Sequence, residues 1–127
     1  MNTHIPKVVG LKFKRQSRLL QVNFDDNQSF DISCELLRVY SPSAEVQQHG
    51  SPVLVTHKKN VNIKAIEAVG NYAVKLVFDD GHDTGIYSWE VLYRLGSQQT
   101  QLWQDYLARL KAEHGSREGL IPITLIM

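Results

Sequence analysis

The sequence predicts an α+β fold: an antiparallel sheet built from two similar β-hairpin–short-helix units, plus a C-terminal amphipathic helix. Three observations predict it. Phe24-Asp25-Asp26-Asn27 returns as Phe78-Asp79-Asp80-Gly81, 54 residues on (78 − 24). Ser33-Cys34-Glu35 returns as Ser88-Trp89-Glu90, 55 residues on (88 − 33). Val8 to Lys14 alternates, with Val9, Leu11 and Phe13 on one face and Lys12 and Lys14 on the other, the period of a half-buried strand. Two motifs repeated with a single one-residue shift are two copies of one supersecondary unit.

The elements follow in order. Residues 1–6 read as a frayed start. The strand Val8 to Lys14 is followed by a second, Leu19 to Phe24, and a third, Ser29 to Ile32. Asp25-Asp26-Asn27-Gln28 turns the chain between the last two, because Asp and Asn tolerate left-handed backbone. Ser33 is then an N-cap, Glu35 complements the dipole of the first helical turn, and Ile32 and Leu37 form a staple across the cap. This short helix reaches about Val39. The second unit repeats the plan: strands Val61 to Val69 and Tyr72 to Phe78, the turn Asp79-Asp80-Gly81-His82, and a return over Thr84 to Tyr87. Gly81 supplies a positive φ in that turn. Ser88 caps, Glu90 follows, and Gly96 ends the helix.

Between the units (about 8–40 and 61–96), residues 41–60 lack a pattern and read as a long loop, with Val53-Leu54-Val55 touching down. Residues 99–114 carry the stripe Leu102, Trp103, Tyr106, Leu107, Leu110 of an amphipathic helix, with Asp105 and Arg109 spaced to pair and Gly115 as C-cap. The tail 120–127, Leu-Ile-Pro-Ile-Thr-Leu-Ile-Met, is apolar. It suits burial against its own chain, while the C-terminal helix or the tail suits a homodimer contact.

Composition narrows the class. A chain of 127 residues, 43% hydrophobic and 21% charged, is one soluble globular domain. A net charge of +1 gives no field for recruiting nucleic acid or an anionic membrane. Lys7, Lys12, Lys14, Arg15 and Arg18 crowd the first strand, where Lys discourages edge pairing. The single Cys34 excludes an intrachain disulfide and any multi-cysteine metal knuckle, and suits a reducing compartment. No secretory leader and no apolar run long enough for a membrane span stand in the sequence. The expected location is cytoplasmic.

The densest polar cluster is His82 with Asp79, Asp80 and Asp83. A His beside carboxylates suits a metal ligand or a general base. The competing account is a hairpin turn whose Asp side chains bond their own backbone. His49 and Glu45 lie in the linking loop, from which they could join His82 in an iron- or zinc-type set. His57, beside Lys58 and Lys59, reads as surface. Cys34 opens a helix, which favours a thiolate, but its repeat partner is the large apolar Trp89, which favours burial. Tyr72, Tyr87, Trp89 and Tyr93 lack a basic groove and read as core rather than base-stacking platforms. The chain has no nucleophile elbow, P-loop or dinucleotide fingerprint.

Leu36 to Val46 (LLRVYSPSAEV) and Gly70 to Leu95 (GNYAVKLVFDDGHDTGIYSWEVLYRL) resemble the gamma-butyrobetaine hydroxylase-like N-terminal domain family, over roughly residues 8 to 96. Small stand-alone bacterial members are uncharacterised. In the hydroxylases themselves the resemblance implies a small accessory module with a zinc site made by three cysteines and one His. The iron and 2-oxoglutarate chemistry belongs to a following domain that this chain lacks. Similar domains fused to P-loop ATPases of iron–sulfur cluster assembly imply a link to metal handling. The family's His matches His82. Its cysteine positions match Ser41, Ser43 and Val46, which supply no thiolate.

The resulting expectation is a non-catalytic accessory or interaction module with an unknown protein partner and no catalytic residues. The alternative is a zinc- or iron-binding protein using His82, His49 and Glu45.

Overall fold

Both hairpins close with the same turn. The computed structural model describes residues 5–50 and 52–119; the side chain of His49 is outside that description. Asn27 (φ 67°) and Gly81 (φ 92°) hold the left-handed position in their respective turns. The Phe24 amide donates to the Gln28 carbonyl and the Phe78 amide to the His82 carbonyl, both at 2.9 Å. Asp26 Oδ1 accepts the Gln28 amide and Asp80 Oδ1 the His82 amide, both at 3.0 Å. The second Asp of each pair therefore serves its turn, as the sequence predicts, while Asp25 and Asp79 accept the amides of Lys7 (3.2 Å) and Asn62 (3.0 Å).

The first unit is β1 (Val8–Lys14), β2 (Leu19–Phe24), β3 (Ser29–Ser33) and α1 (Cys34–Val39). The second is β4 (Ile63–Val69), β5 (Ala73–Phe78), β6 (Gly85–Ser88) and α3 (Trp89–Ser97). Between them lie the short helix α2 (Ala44–Gln47) and a 3-10 turn (Gln48–Gly50); α4 (Gln99–Ala112) follows the second unit. The fold is α+β with a C-terminal helix. The strands pair within their own units, giving two three-stranded antiparallel sheets, β1-β2-β3 and β4-β5-β6. Both first strands carry an irregularity at the equivalent place, between Val8 and Gly10 and between Ile63 and Ala65.

The middle strands have matching buried faces: Leu20, Val22 and Phe24 in β2, Val74, Leu76 and Phe78 in β5. Ile32, Leu37, Tyr87, Leu92 and Leu95 join them in one core spanning both units. The units are also reciprocally linked. Arg38 of α1 pairs through Nε with Asp80 of the second turn (2.8 Å), and the Tyr93 hydroxyl of α3 donates to Asp26 of the first turn (2.8 Å). Each helix thus seals the other unit's hairpin. Ser33 and Ser88 cap as expected, accepting from the amides of Leu36 (3.0 Å) and Val91 (3.2 Å).

Several expectations are corrected. Residues 41–60 are partly ordered into α2, whose N-cap is Ser43. Leu54 and Val55 do touch down, on the cluster Val39, Tyr106 and Leu110. Gly96 does not end α3; it lies inside the helix, where a Cβ would meet the Phe30 ring at 2.6 Å. The left-handed residue after α4 is His114 (φ 57°), while the Gly115 amide reaches back to the Leu110 carbonyl (2.8 Å). Arg109 pairs with Glu113 (2.7 Å), and Asp105 instead accepts from Gln101 (2.8 Å). Leu107 faces outward, 39% exposed. The expectations for the first four residues and for the tail 120–127 fall outside the described residues. No helix among those described is long and apolar enough to cross a membrane.

Candidate functional site

His82 sits where the first unit has Gln28. Gln28 is exposed, but His82 is only 6% exposed. The difference comes from the chain after α1, which runs over the second turn. Ser41 Oγ lies 2.9 Å from His82 Nε2 and also accepts the Ser43 amide (3.2 Å). On the other side of the ring, Glu45 Oε2 lies 3.5 Å from Nδ1. Ser43 Oγ and Thr84 Oγ1 share a hydrogen bond of 2.7 Å, and Thr84 donates to Glu45 Oε1 (3.2 Å). The Gln47 side-chain amide closes the loop onto the Ser41 carbonyl (2.8 Å). Gly85 makes the approach feasible, since a Cβ there would stand 2.6 Å from Ser41 Oγ. Below it, the buried Tyr87 hydroxyl donates to the Leu37 carbonyl.

Asp80 anchors the turn from beneath. Its Oδ2 contacts Arg38 Nε at 2.8 Å and Lys58 Nζ at 2.6 Å. Burial alone would raise this carboxyl, but Lys58, the His82 amide and Arg38 together outweigh it and hold the group at about 2. For His82, burial first and the Arg38 charge second push the imidazole below its ordinary range, against Glu45, Asp80 and Asp83. The ring is therefore neutral near pH 7, one nitrogen donating and the other accepting. Asp79 turns the other way, accepting the Asn62 amide (3.0 Å), and Asp83 is exposed.

Of the residues singled out in the sequence, Glu45 does meet His82. His49 belongs to the 3-10 turn that follows α2, but its side chain lies outside the described residues. His57 is exposed, with Nδ1 2.7 Å from the Glu118 carbonyl. Cys34 is buried at 0% exposure, and desolvation pushes its thiol up to about 11. It belongs to the core. Tyr87 is buried, Trp89 and Tyr93 are half-buried, and Tyr72 is 58% exposed. One constellation was missed. Glu35 is 6% exposed and takes a two-pronged pair from Arg117, both contacts 2.8 Å, while the guanidinium lies 4.8 Å over the Trp103 ring. No local pattern announces a contact across 82 residues.

The sequence from Leu11 to Tyr93 matches the family model described as gamma-butyrobetaine hydroxylase-like, N-terminal (residues 11–93). The chain belongs to this family. Solved structures agree with the assignment. An NMR solution structure at 66% identity superposes with a TM-score of 0.82, covering 100% of this chain and 96% of that one. A second NMR structure, at 41% identity, gives 0.81 over 98% and 99% of the two chains. A crystal structure of a protein of unknown function, from Acidithiobacillus ferrooxidans and the DUF971 family, gives 0.61 at 36% identity over 72% and 92%. No curated protein matches the chain.

For this gamma-butyrobetaine hydroxylase-like N-terminal domain, the zinc implied by the resemblance can be tested against the donors present. Ser41, Ser43, Val46 and His82 are all buried, at 0%, 5%, 4% and 6% exposure. The two hydroxyls are already committed, Ser41 to His82 and Ser43 to Thr84, and Val46 offers no donor. Among the described residues no group of three or more His, Cys, Asp or Glu could hold a metal ion. These donors do not fit a zinc site built on thiolates.

Ser41, His82 and Glu45 also stand in the order of a hydrolytic triad, hydroxyl to Nε2 and carboxylate to Nδ1. A triad serine must meet a substrate carbonyl, and Ser41 has no exposed surface. The nearby depression, about 290 Å³, is lined by Tyr40, Val53, Leu54, Arg94, Tyr106 and Arg109 among others, and not by Ser41 or His82. The arrangement joins the start of the linking loop to the β5–β6 hairpin.

Proposed function

We propose that this chain is a non-catalytic interaction module whose partner protein meets the surface of the linking loop. One observation carries the reading: the reactive-looking cluster is spent internally, and what it holds in place is a shaped loop. Ser41, Ser43 and Gln47 fix the start of that loop. The Arg109 guanidinium donates to the Pro52 carbonyl (2.7 Å), and the Tyr106 hydroxyl to the Val55 carbonyl (2.6 Å), fixing its end. Between these anchors and α4 lies the depression of about 290 Å³, with Val53 40% exposed at its side. Its wall sets Val53, Leu54 and Val55 beside the charged Arg94, Asp105 and Arg109. Side chains already held in place lose less freedom on binding.

The test is affinity capture from the native host with a tagged chain, wild type against Val53→Asp and Arg94→Glu. These residues lie outside the His82 cluster, so the fold should persist, as circular dichroism would verify. The reading predicts a partner held by the wild type and lost by both variants. Capture that is equal for all three chains, or a turnover activity retained by the purified wild type, would overturn it.

A further inference from the structure

We infer that Glu35 and Trp103 form a socket for an arginine side chain of a partner protein, and that the chain's own Arg117 fills it until the partner displaces it. The socket has the shape of a guanidinium. Glu35 lies in the first turn of α1 with its side chain 7% exposed. Its two oxygens take Arg117 Nε and Nη2, both at 2.8 Å. The guanidinium carbon stands 4.8 Å from the centre of the Trp103 ring on α4. That ring is braced by Tyr106, 5.5 Å away, whose hydroxyl donates to the Val55 carbonyl. Arginine presents a planar fork that pairs twice with a carboxylate and stacks on an aromatic face; lysine is a point charge and makes no such fork.

Arg117 reaches the socket on a strap that has little else to hold it. Residues 115–119 read Gly-Ser-Arg-Glu-Gly, with no apolar side chain to bury. The Gly115 amide is tied to the Leu110 carbonyl (2.8 Å), which fixes the chain up to that point. Beyond it, the Ser116 and Arg117 carbonyls accept the amides of His57 (2.7 Å) and Lys59 (2.9 Å) in the linking loop. The His57 ring meets the Glu118 carbonyl (2.7 Å), and Lys59 pairs with an exposed Glu118 (3.1 Å), a surface pair that adds little. Arg117 itself is 34% exposed. A segment with no buried apolar contacts and few backbone bonds is the kind that opens locally.

Opening strands the Glu35 carboxylate, and an incoming arginine restores its partner. The same opening frees the His57 and Lys59 amides for carbonyls of the incoming chain, so main-chain bonds and one side-chain socket act together. The occupant that fits is an arginine-bearing segment of another protein, bound as the strap is bound. Neither Glu35 nor Trp103 lines the depression beside Val53, so this inference goes beyond the reading above and fails independently of it.

The test titrates whole chain, wild type and Arg117→Ala, with acetyl-Gly-Ser-Arg-Glu-Gly-amide and with the same peptide carrying Lys for Arg. Proton–nitrogen NMR reads the Trp103 indole and the His57 and Lys59 amides. In Arg117→Ala the arginine peptide should shift all three signals to saturation, and the lysine peptide should bind at least about fivefold more weakly. Wild type, whose own strap competes, should bind the arginine peptide at least about tenfold more weakly than the variant does. Adding Glu35→Gln to Arg117→Ala should remove the response. No saturable response in Arg117→Ala, or equal binding of the two peptides, would overturn the socket. Equal affinity in wild type and variant would overturn the competition by the strap. A wild type that dimerises on concentration, while Arg117→Ala stays monomeric, would replace the partner protein with a second copy of this chain and so overturn the assignment. A wild-type measurement decides the matter if Arg117→Ala does not fold. In native-state hydrogen exchange the His57 and Lys59 amides should exchange at least about tenfold faster than those of β5. Equal protection would mean that the strap opens only with the whole fold, and the inference would fall.

Discussion

Replacing His82 with Ala removes its bond to Ser41 while leaving the turn's backbone bonds intact. The His82 carbonyl still accepts from Phe78, and its amide still donates to Asp80. What disappears is an imidazole whose side chain is 3% exposed, together with its bond to Ser41. Losing a buried hydrogen bond costs about 1 kcal/mol, and leaving a buried hydroxyl short of a partner adds about 1 kcal/mol more. The void left by the ring adds a further ~1 kcal/mol, low in the range for large-to-small changes because one side opens toward the exposed Glu45. The sum is about 3 kcal/mol. Nδ1 is not counted, because Glu45 is two-thirds exposed and screened. Ser41→Ala, which strands both Nε2 and the Ser43 amide, costs about 2 kcal/mol. The double variant should cost about 1 kcal/mol less than the two added together. Urea unfolding followed by far-ultraviolet circular dichroism reads this directly: with a slope of about 1–3 kcal/mol per molar, the His82→Ala midpoint moves down by roughly 1–3 M. A loss under about 0.5 kcal/mol, with additive single variants, would refute the reasoning.

Acid should weaken the fold in two stages. His82 titrates below its ordinary 6.5 when folded, so the unfolded chain takes up that proton first; its contribution is complete above that pH and erodes below it. Asp80 sits at about 2 against an ordinary 3.8, so its contribution is intact above that value and lost as pH falls toward 2. Melting temperature against pH should show both stages, and His82→Gln should abolish the first and keep the second. Cys34, raised to about 11, should resist iodoacetamide near pH 8 in the native chain and react once urea unfolds it; rapid native labelling would contradict its burial. Gly85→Ala sets a Cβ 2.6 Å from Ser41 Oγ and 3.0 Å from the Tyr87 ring, and should destabilise by about 1–3 kcal/mol in the same urea assay.

What could be read from the sequence was local. The turns, the Ser33 and Ser88 caps and the apolar faces of β2 and β5 depend on spacings of a few residues, and the repeat supplied each signal twice. The unread parts are contacts between distant segments. Glu35 matched Glu90 as a first-turn acid, yet only Glu35 is buried and taken by Arg117. Arg109 had two acids at helical spacing, Asp105 and Glu113, and periodicity does not choose between them. The cap Ser43 was hidden because its helix spans only four residues, too short to show a period. His82 stood out against its twin, but its burial depends on a loop whose path no pattern fixes. The resemblance placed Ser41 and Ser43 opposite His82; the hydrogen bond that joins Ser41 to the ring is a finding of the structure.

The most direct test of the account is nitrogen-15 NMR of the His82 imidazole in wild-type chain near neutral pH. The account predicts a neutral ring in a single tautomer, with one protonated and one unprotonated nitrogen and shifts that do not change when zinc is added. A doubly protonated ring, or a zinc-dependent shift of Nε2, would contradict it.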